Sequence, residues 1–389
     1  MKTRLSPEQL AAIRAGAEKY APRQLELLGK FAAIDCGTGD REGNRRVVEL
    51  VQEELSALPA DVTLEEGPNG CHVVARIEPE RPTGKIILNS HLDTVFHPGD
   101  TAAHPFRVEG DWAWGLGVAD CKGGFAVSAY GVRVAWEAGL LPQKEIVMVY
   151  GCDEETGSPT AREVYRREAA GAEYAFVFEP GRGENGLVTQ RKGCATIRLE
   201  VEGKAAHAGL NYRGGADASL ELARLVTMLA EHNDPEKGIF FNAGRLRSGS
   251  HGDIVSDRAE GDVFFSFPNQ ADFQEVERLL ARVGTEPSAT GCRVSAKAEL
   301  LFPPMEEDEK SLRAYRLVEE AGRQLGMALP RQSSSGSSDA CWFSSFGVPT
   351  VDALGPYMQD IHTVEERVRV SSIPERTQLF AALLAALCD

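Results

Sequence analysis

The stretch KIILNSHLD, residues 85–93, governs the reading of the whole chain. Its apolar run, Ile86-Ile87-Leu88, predicts a buried β-strand. At the end of that run His91 and Asp93 stand two residues apart, so in extended backbone both side chains point the same way. Imidazole is a common zinc ligand, and a carboxylate beyond it can orient the ring. Taken alone, such a pair is more often loop polarity than a metal site. The arrangement gains meaning because it recurs downstream.

Working outward, residues 6–34 and 42–58 carry helical spacing of Leu, Ile and Val. HVVARIE (72–78) and KIILNS (85–90) read as strands around a turn at residues 79–84. Residues 94–117 are irregular and rich in Gly, Pro and aromatics, as an active-site loop is. A small-residue helix (122–139) leads to the buried strand EIVMVYG (145–151), and a helix at 160–170 leads to the buried strand YAFVF (174–178). Strands alternating with helices predict an α/β fold with a mostly parallel central sheet flanked by helices.

After about residue 190 the pattern changes. CATIRLEVEG (194–203) alternates as a half-exposed strand does, followed by a helix at 216–231, strands at 239–248 and 259–267, a helix at 271–283 and a strand at 292–300. That β-α-β-β-α-β order is the ferredoxin-like split unit. The expected organisation is a catalytic domain in two parts, 1–191 and 304–389, interrupted by an inserted α+β domain at 192–303 with hinges near its ends.

With 389 residues, 42% hydrophobic and 26% charged, the composition is that of a soluble globular chain with room for two domains. A formal net charge of −16 argues against nucleic acid or an anionic membrane as partner. No apolar run is long enough to span a bilayer, and the N-terminal stretch reads as a charged amphipathic helix without a signal-peptide core; the scattered, core-like cysteines make a reducing, cytoplasmic setting the expectation. Eight scattered cysteines without a CxxC pair force neither disulfides nor a zinc ribbon.

Further acidic and imidazole residues join His91. Asp120 lies in GLGVADCKGG, Glu154 and Glu155 follow EIVMVYG, Glu179 follows YAFVF, and His362 follows VDALGPYMQDI. Three buried strands thus end in acidic or imidazole groups at their carboxyl ends, the edge where open α/β sheets place ligand sites. Two imidazoles with three carboxylates suit two zinc ions, one carboxylate bridging, and imidazole favours zinc over magnesium. Two such ions suit amide hydrolysis, by polarising the carbonyl and acidifying water. One further carboxylate must take the water proton and pass it to the leaving nitrogen. The adjacent Glu154 and Glu155 can supply a base and a ligand.

HLDTVF, GLGVADCKGG, DEETGS, FEPG, GKAAHAG and the late His362 together resemble the co-catalytic zinc exopeptidase family of glutamate carboxypeptidase, succinyl-diaminopimelate desuccinylase, acetylornithine deacetylase and the aminoacylases. The resemblance covers nearly the whole chain. It implies one zinc on His91, Asp120 and Glu179 and another on Asp120, Glu155 and His362, with cobalt able to replace zinc. It also implies Glu154 as general base, Asp93 as the residue that orients His91, and a cis peptide bond at Asp120–Cys121. The inserted segment is similar to the family's lid and dimerisation domain, which implies a homodimer and gives His207, in GKAAHAG, a role at the substrate carbonyl oxygen. The loop GSSD (336–339), with Gly336 and Ser337, is expected to line the substrate pocket through backbone groups.

The implied activity is hydrolysis of a peptide or N-acyl amide bond in a small substrate, carboxypeptidase-like. An N-acyl-amino-acid deacylase shares every metal and base residue and stands beside it. A catalytically silent dimeric binding protein is the reading from another class, and the presence of the base with all five ligand candidates speaks against it. One departure concerns substrate. Carboxypeptidase-like members hold the α-carboxylate with an asparagine and an arginine, whose positions here carry Asp253 and Ser266. Serine cannot reproduce the two-pronged geometry of arginine. A local misalignment, or replacement of the clamp by Arg213, Arg245 or Arg247, is the competing explanation.

The lesser signals read blandly. GRGENG (181–186) is followed by a strand pattern, so the dinucleotide fingerprint fails its context. The serines of GSSD lack a nucleophile elbow, and Cys121 beside Asp120 reads as packed. His97, His104 and His251 read as loop residues, while His72 and His232 receive no role.

Overall fold

The computed structural model describes residues 4–388, and the chain divides into two compact units. One comprises Met1–Gln190, Glu307–Ser334 and Ser338–Asp389, the other Arg191–Glu306 with Ser335–Ser337.

In chain order the first unit opens with helices α1 (Pro7–Ala32) and α2 (Arg41–Leu55) and strands β1 (Asp61–Gly67), β2 (Gly70–Ile77) and β3 (Lys85–His91). A short helix α3 (Asp100–Ala103) and strands β4 (Arg107–Glu109) and β5 (Trp112–Trp114) precede α4 (Lys122–Glu137). Then come β6 (Glu145–Gly151), α5 (Ala161–Ala169), β7 (Tyr174–Val177) and β8 (Leu187–Arg191). The second unit contributes β9 (Gly193–Glu202), α6 (Ala208–Asn211), α7 (Ala218–Ala230), β10 (Phe240–Ser248), β11 (Arg258–Phe267), α8 (Gln270–Thr285) and β12 (Arg293–Phe302). The chain returns through α9 (Glu309–Leu325), β13 (Arg331–Ser334), α10 (Ala340–Ser345), β14 (Thr350–Val351), β15 (Met358–Gln359), β16 (Arg367–Arg369) and α11 (Ser372–Ala386).

The central sheet runs β1-β2-β6-β3-β7-β14. The pairings β3–β6, β3–β7 and β7–β14 are parallel, whereas β1–β2 and β2–β6 are antiparallel. The expected parallel sheet is therefore a mixed one, parallel in the half that carries the site. The strands on either side of residues 79–84 form as read, but they are not neighbours in the sheet, because β6 lies between them. Every residue of β3 beyond Lys85 is buried, and such a strand needs a partner on each edge, which β6 and β7 provide. Strand β1 carries no apolar run and has Asp61, Glu65 and Glu66. It is a charged edge strand of the kind that resists further pairing.

Helices α1, α4 and α11 pack around one apolar core with Ile86 and Leu88 of β3, both fully buried. Each such aliphatic side chain contributes about 1.5–3 kcal/mol on burial. Aromatic edges lock the layer: Phe125 meets Tyr150 at 4.9 Å and Phe178 meets Phe380 at 4.8 Å between centroids. Gly131 of α4 lets α11 approach, since a Cβ there would come within 2.6 Å of the Phe380 ring. Helix α1 starts on a capping box, Ser6 with Gln9, and Pro7 fills its first turn.

The second unit has its own core, with Ile197, Leu222, Leu229, Phe265, Phe273 and Leu280 buried. Its sheet order, β10-β11-β9-β12, and all-antiparallel pairing are those of the ferredoxin-like split unit. Among the described residues no helix is long and apolar enough to cross a membrane.

Phe380 has no exposed surface and touches two other rings. Phe380→Ala should lower stability by about 3–5 kcal/mol, read as a lower denaturant midpoint. An unchanged midpoint would mean that α11 is not part of the cooperative core.

Candidate metal centre

His91 is the last residue of β3 and is fully buried. Its Nδ1 lies 3.1 Å from the Asp93 carbonyl oxygen and 3.3 Å from Asp93 Oδ1. Both oxygens only accept, so Nδ1 carries a proton and the neutral ring turns its Nε2 lone pair away from Asp93. That Nε2 faces Asp120 Oδ1 at 2.9 Å. Two lone pairs at this separation require a proton or a metal cation between them.

Asp93 also fixes the turn after β6. Its Oδ1 accepts from the Glu154 N–H at 3.1 Å, and its Oδ2 from the Glu155 N–H at 3.2 Å and Thr38 Oγ1 at 2.6 Å. Asp153 holds the same turn by accepting from the N–H groups of Thr160 and Ala161. His72, set aside in the sequence, accepts the Cys152 N–H on Nδ1 at 3.2 Å and meets Thr160 Oγ1 at 2.9 Å. Buried Asp339 accepts from Ser158 Oγ and, at 2.5 Å, from the Tyr165 hydroxyl. Ser158 has a left-handed φ of 54°, so this tether holds a conformation that serine alone disfavours.

Asp120 sits at the end of GLGVAD, just before α4, and its peptide bond to Cys121 is cis. The loop is threaded over Glu366, whose fully buried carboxylate accepts N–H groups from Gly117 at 3.0 Å, Ala119 at 2.8 Å and Asp120 at 3.0 Å. Glu366 has no mark in the sequence, because its partners are more than 240 residues away. Cys121 is packed. Its thiol donates to the Phe178 carbonyl at 3.0 Å, and burial pushes its pKa well up.

Two donor sets share Asp120. His91, Asp120 and Glu179 have ligand atoms within 4.8 Å of one another, with Cys121 beside them, and so do Asp120, Glu155 and His362. His362, half exposed with a φ of 62°, puts Nε2 3.1 Å from Asp120 Oδ2 and 3.4 Å from Glu155 Oε2. Glu154 Oε2 stands 3.8 Å from His91 Nε2, and Glu179 Oε1 stands 3.7 Å from it.

The electrostatics describe a site short of positive charge. Burial pushes the Glu154 carboxyl well up, against the pull of His91 and with added push from Glu179 and Glu155. Burial likewise raises Glu155 although His362 donates to it. Burial works against ionised Asp120 too, but hydrogen bonds from His362 and His91 outweigh it and hold that carboxyl low. His362 is raised to about 10 by its bonds to Asp120 and Glu155. Glu155 Oε1 is buried with no hydrogen-bond partner, an orphan acceptor that a cation would satisfy. Imidazole nitrogen with carboxylate oxygen is a zinc-type donor set.

The remaining candidates belong to the second unit. His207 is exposed and begins α6, its Nδ1 accepting from the Gly209 N–H at 3.2 Å, which leaves Nε2 as the N–H donor of the neutral ring. His207 bridges to Ile254, and Asp253 accepts the Ala208 N–H through its carbonyl at 2.8 Å. Ser266 is buried in β11 opposite Phe240 and Cys194. The carbonyls of Gly336 and Ser337 accept from Arg191, a buried arginine that the sequence did not single out. Of the arginines considered as clamp replacements, Arg245 is held by Asp262 at 2.8 Å and Arg247 faces Glu260 at 3.8 Å.

Comparison with known proteins gives a consistent answer. The sequence pattern of peptidase family M20/M25/M40 matches residues 87–386. Carboxypeptidase G2 of Pseudomonas sp. (strain RS-16) is 29% identical over 99% of this chain and 94% of that protein. A putative succinyl-diaminopimelate desuccinylase DapE of Mycobacterium tuberculosis is 27% identical over 88% of this chain and 94% of that protein. Among solved structures, aminopeptidase PepT from Bacillus cereus superposes with a TM-score of 0.77 at 20% identity, covering 94% of this chain and 98% of that one.

Removing Glu366 tests the scaffold without touching a ligand. Glu366→Leu would strand three buried N–H groups and should cost roughly 2–5 kcal/mol, read as a lower denaturation midpoint. Glu366→Gln, which keeps one acceptor oxygen, should cost less. Equal stability of all three proteins would contradict the role given to this carboxylate.

Proposed function

This chain belongs to peptidase family M20/M25/M40 and is a hydrolase of the metallopeptidase/amidohydrolase type, and from that premise we propose that it is a dinuclear zinc enzyme cleaving a peptide or N-acyl amide bond in a small, carboxypeptidase-type substrate. The observation that carries this reading is the pair of donor sets meeting on Asp120. His91, Asp120 and Glu179 would hold one ion, and Asp120, Glu155 and His362 the other. When bound, zinc supplies Lewis acidity toward the scissile carbonyl and lowers the pKa of water.

The protein's own groups do the rest. Asp93 holds the His91 ring in the tautomer that presents Nε2 to the cluster. Glu154 accepts the proton of the attacking water on its carboxylate and delivers it to the departing nitrogen. Glu154 lies within reach of both His91 and Glu155, which places a carboxylate beside the centre to serve as the base. His207, through Nε2–H, stabilises the oxyanion that develops on the carbonyl oxygen. The inserted domain serves as lid and dimerisation module of a homodimer, and Gly336 and Ser337 line the substrate pocket with backbone groups. The eight cysteines are all free, which suits a reducing cytoplasm. An N-acyl-amino-acid deacylase is the second reading, and the resemblance to a putative desuccinylase supports it.

Metal dependence is the first expected outcome. Chelated protein should lose hydrolysis and recover it with zinc or cobalt, and full activity of metal-free protein would refute the proposal. Glu154→Ala should keep its metal, measured by elemental analysis, while losing several decades of kcat. Loss of metal instead would exchange the roles of Glu154 and Glu155.

Ser266 and Asp253 replace the carboxylate clamp, so the enzyme should not demand a free α-carboxylate at that place. A matched pair of substrates, free acid and C-terminal amide, should be cleaved at similar rates, and Ser266→Arg should favour the acid. A wild-type preference for the acid above about a hundredfold, roughly 2.7 kcal/mol, would show that a clamp survives.

A further inference from the structure

Within the first unit a cavity of about 580 Å³ opens beside Glu155 and Thr156, walled by residues 37–40 and 94–98. Its volume is in the usual range for a small-molecule site. Its walls are tied together. Gly37 bridges to Thr94, and the Thr38 N–H donates to the Thr94 carbonyl at 3.2 Å. Gly37 permits that approach, because a Cβ there would collide with the Phe96 carbonyl oxygen. The far wall is pinned by Asp35, which accepts from the Gly99 N–H at 2.7 Å and from Thr101 Oγ1 at 2.8 Å, and by Asp100, which accepts the His97 N–H at 2.8 Å. Thr38 links this frame to the metal centre by donating to Asp93 at 2.6 Å. The cavity shares Glu155 with the cluster and so adjoins it.

Its chemistry is specific. Val95, Phe96 and Pro98 give apolar surface, His97 is the one imidazole among the described lining residues, and no lysine or arginine is among them. Asp40 lines it as well and caps α2 by accepting the Gly43 N–H at 3.0 Å. A carboxylate held away from the metal centre in this cavity would meet no lysine or arginine among the described lining residues and would face Asp40. An apolar ring would instead displace water from Phe96 and Val95, at about 25 cal/mol per Å² of apolar surface covered.

We propose that this cavity is a substrate subsite that takes an uncharged, apolar group of aromatic size attached next to the scissile bond. The inference rests on the hydrolase reading above, in which Glu155 holds a metal ion.

The test uses the zinc-loaded full chain and two probes, benzohydroxamate and acetohydroxamate. They share a metal-chelating head and differ in the group that the cavity would receive. Calorimetry should give benzohydroxamate the higher affinity by about tenfold or more, about 1.4 kcal/mol. Phe96→Ala should erase most of that preference while leaving acetohydroxamate within about twofold. Val95→Asp, at an exposed position that does not threaten folding, should do the same and guards against a Phe96→Ala protein that fails to fold. Equal affinities in the wild type, or equal losses for both probes in the variants, would overturn the subsite while the metal reading stands. Failure of both probes to bind would overturn the metal reading and the subsite with it.

Discussion

Asp120, Glu154, Glu155 and Glu179 crowd one corner of the central sheet, with His91 and His362 set among them. Buried like charges repel in a medium that screens poorly. The arrangement is sustainable only if protons or cations fill the centre, and the imidazole–carboxylate separations leave places for both. The rest of the first unit can be understood as the frame that makes this crowding possible. Strands β3, β6 and β7 run parallel, so their carboxyl ends deliver His91, the Glu154–Glu155 turn and Glu179 to a common edge.

A second ring of acidic residues does the holding. Asp93, Asp153, Asp339 and Glu366 are all buried, yet each accepts hydrogen bonds from backbone N–H groups or hydroxyls. Burial pushes Asp339 up to about 6 and Glu366 up to about 7, the latter with help from nearby Asp120. These carboxylates act on loops, and their job is geometric. The contrast with the inner group is instructive. The holding carboxylates place their oxygens on N–H and O–H donors, whereas Glu155 Oε1 is left without one.

Much of this was legible beforehand, for identifiable reasons. The buried strands read directly because their apolar runs are short and bounded, and the inserted unit read directly because its strands alternate. The ligand candidates stood out as acidic or imidazole residues directly after those strands. Strand order did not, because pairing of β2 with β6 depends on contacts more than 60 residues apart. Strand β1 escaped because a charged edge strand has no apolar signature. Glu366 and His72 escaped for a third reason: their importance lies wholly in which N–H groups they accept, and a sequence pattern carries no trace of that. For His72 the only cue was its place inside a buried strand, beside Cys71 and Val73.

In the proposed dinuclear centre two metal ions meet on Asp120. Diffraction data collected on either side of the zinc absorption edge, from crystals of zinc-loaded protein, would show them. Two anomalous peaks are expected beside the Asp120 carboxylate, one contacted by His91 and Glu179 and the other by Glu155 and His362. No peak at Asp120, or zinc bound only elsewhere on the chain, would contradict it.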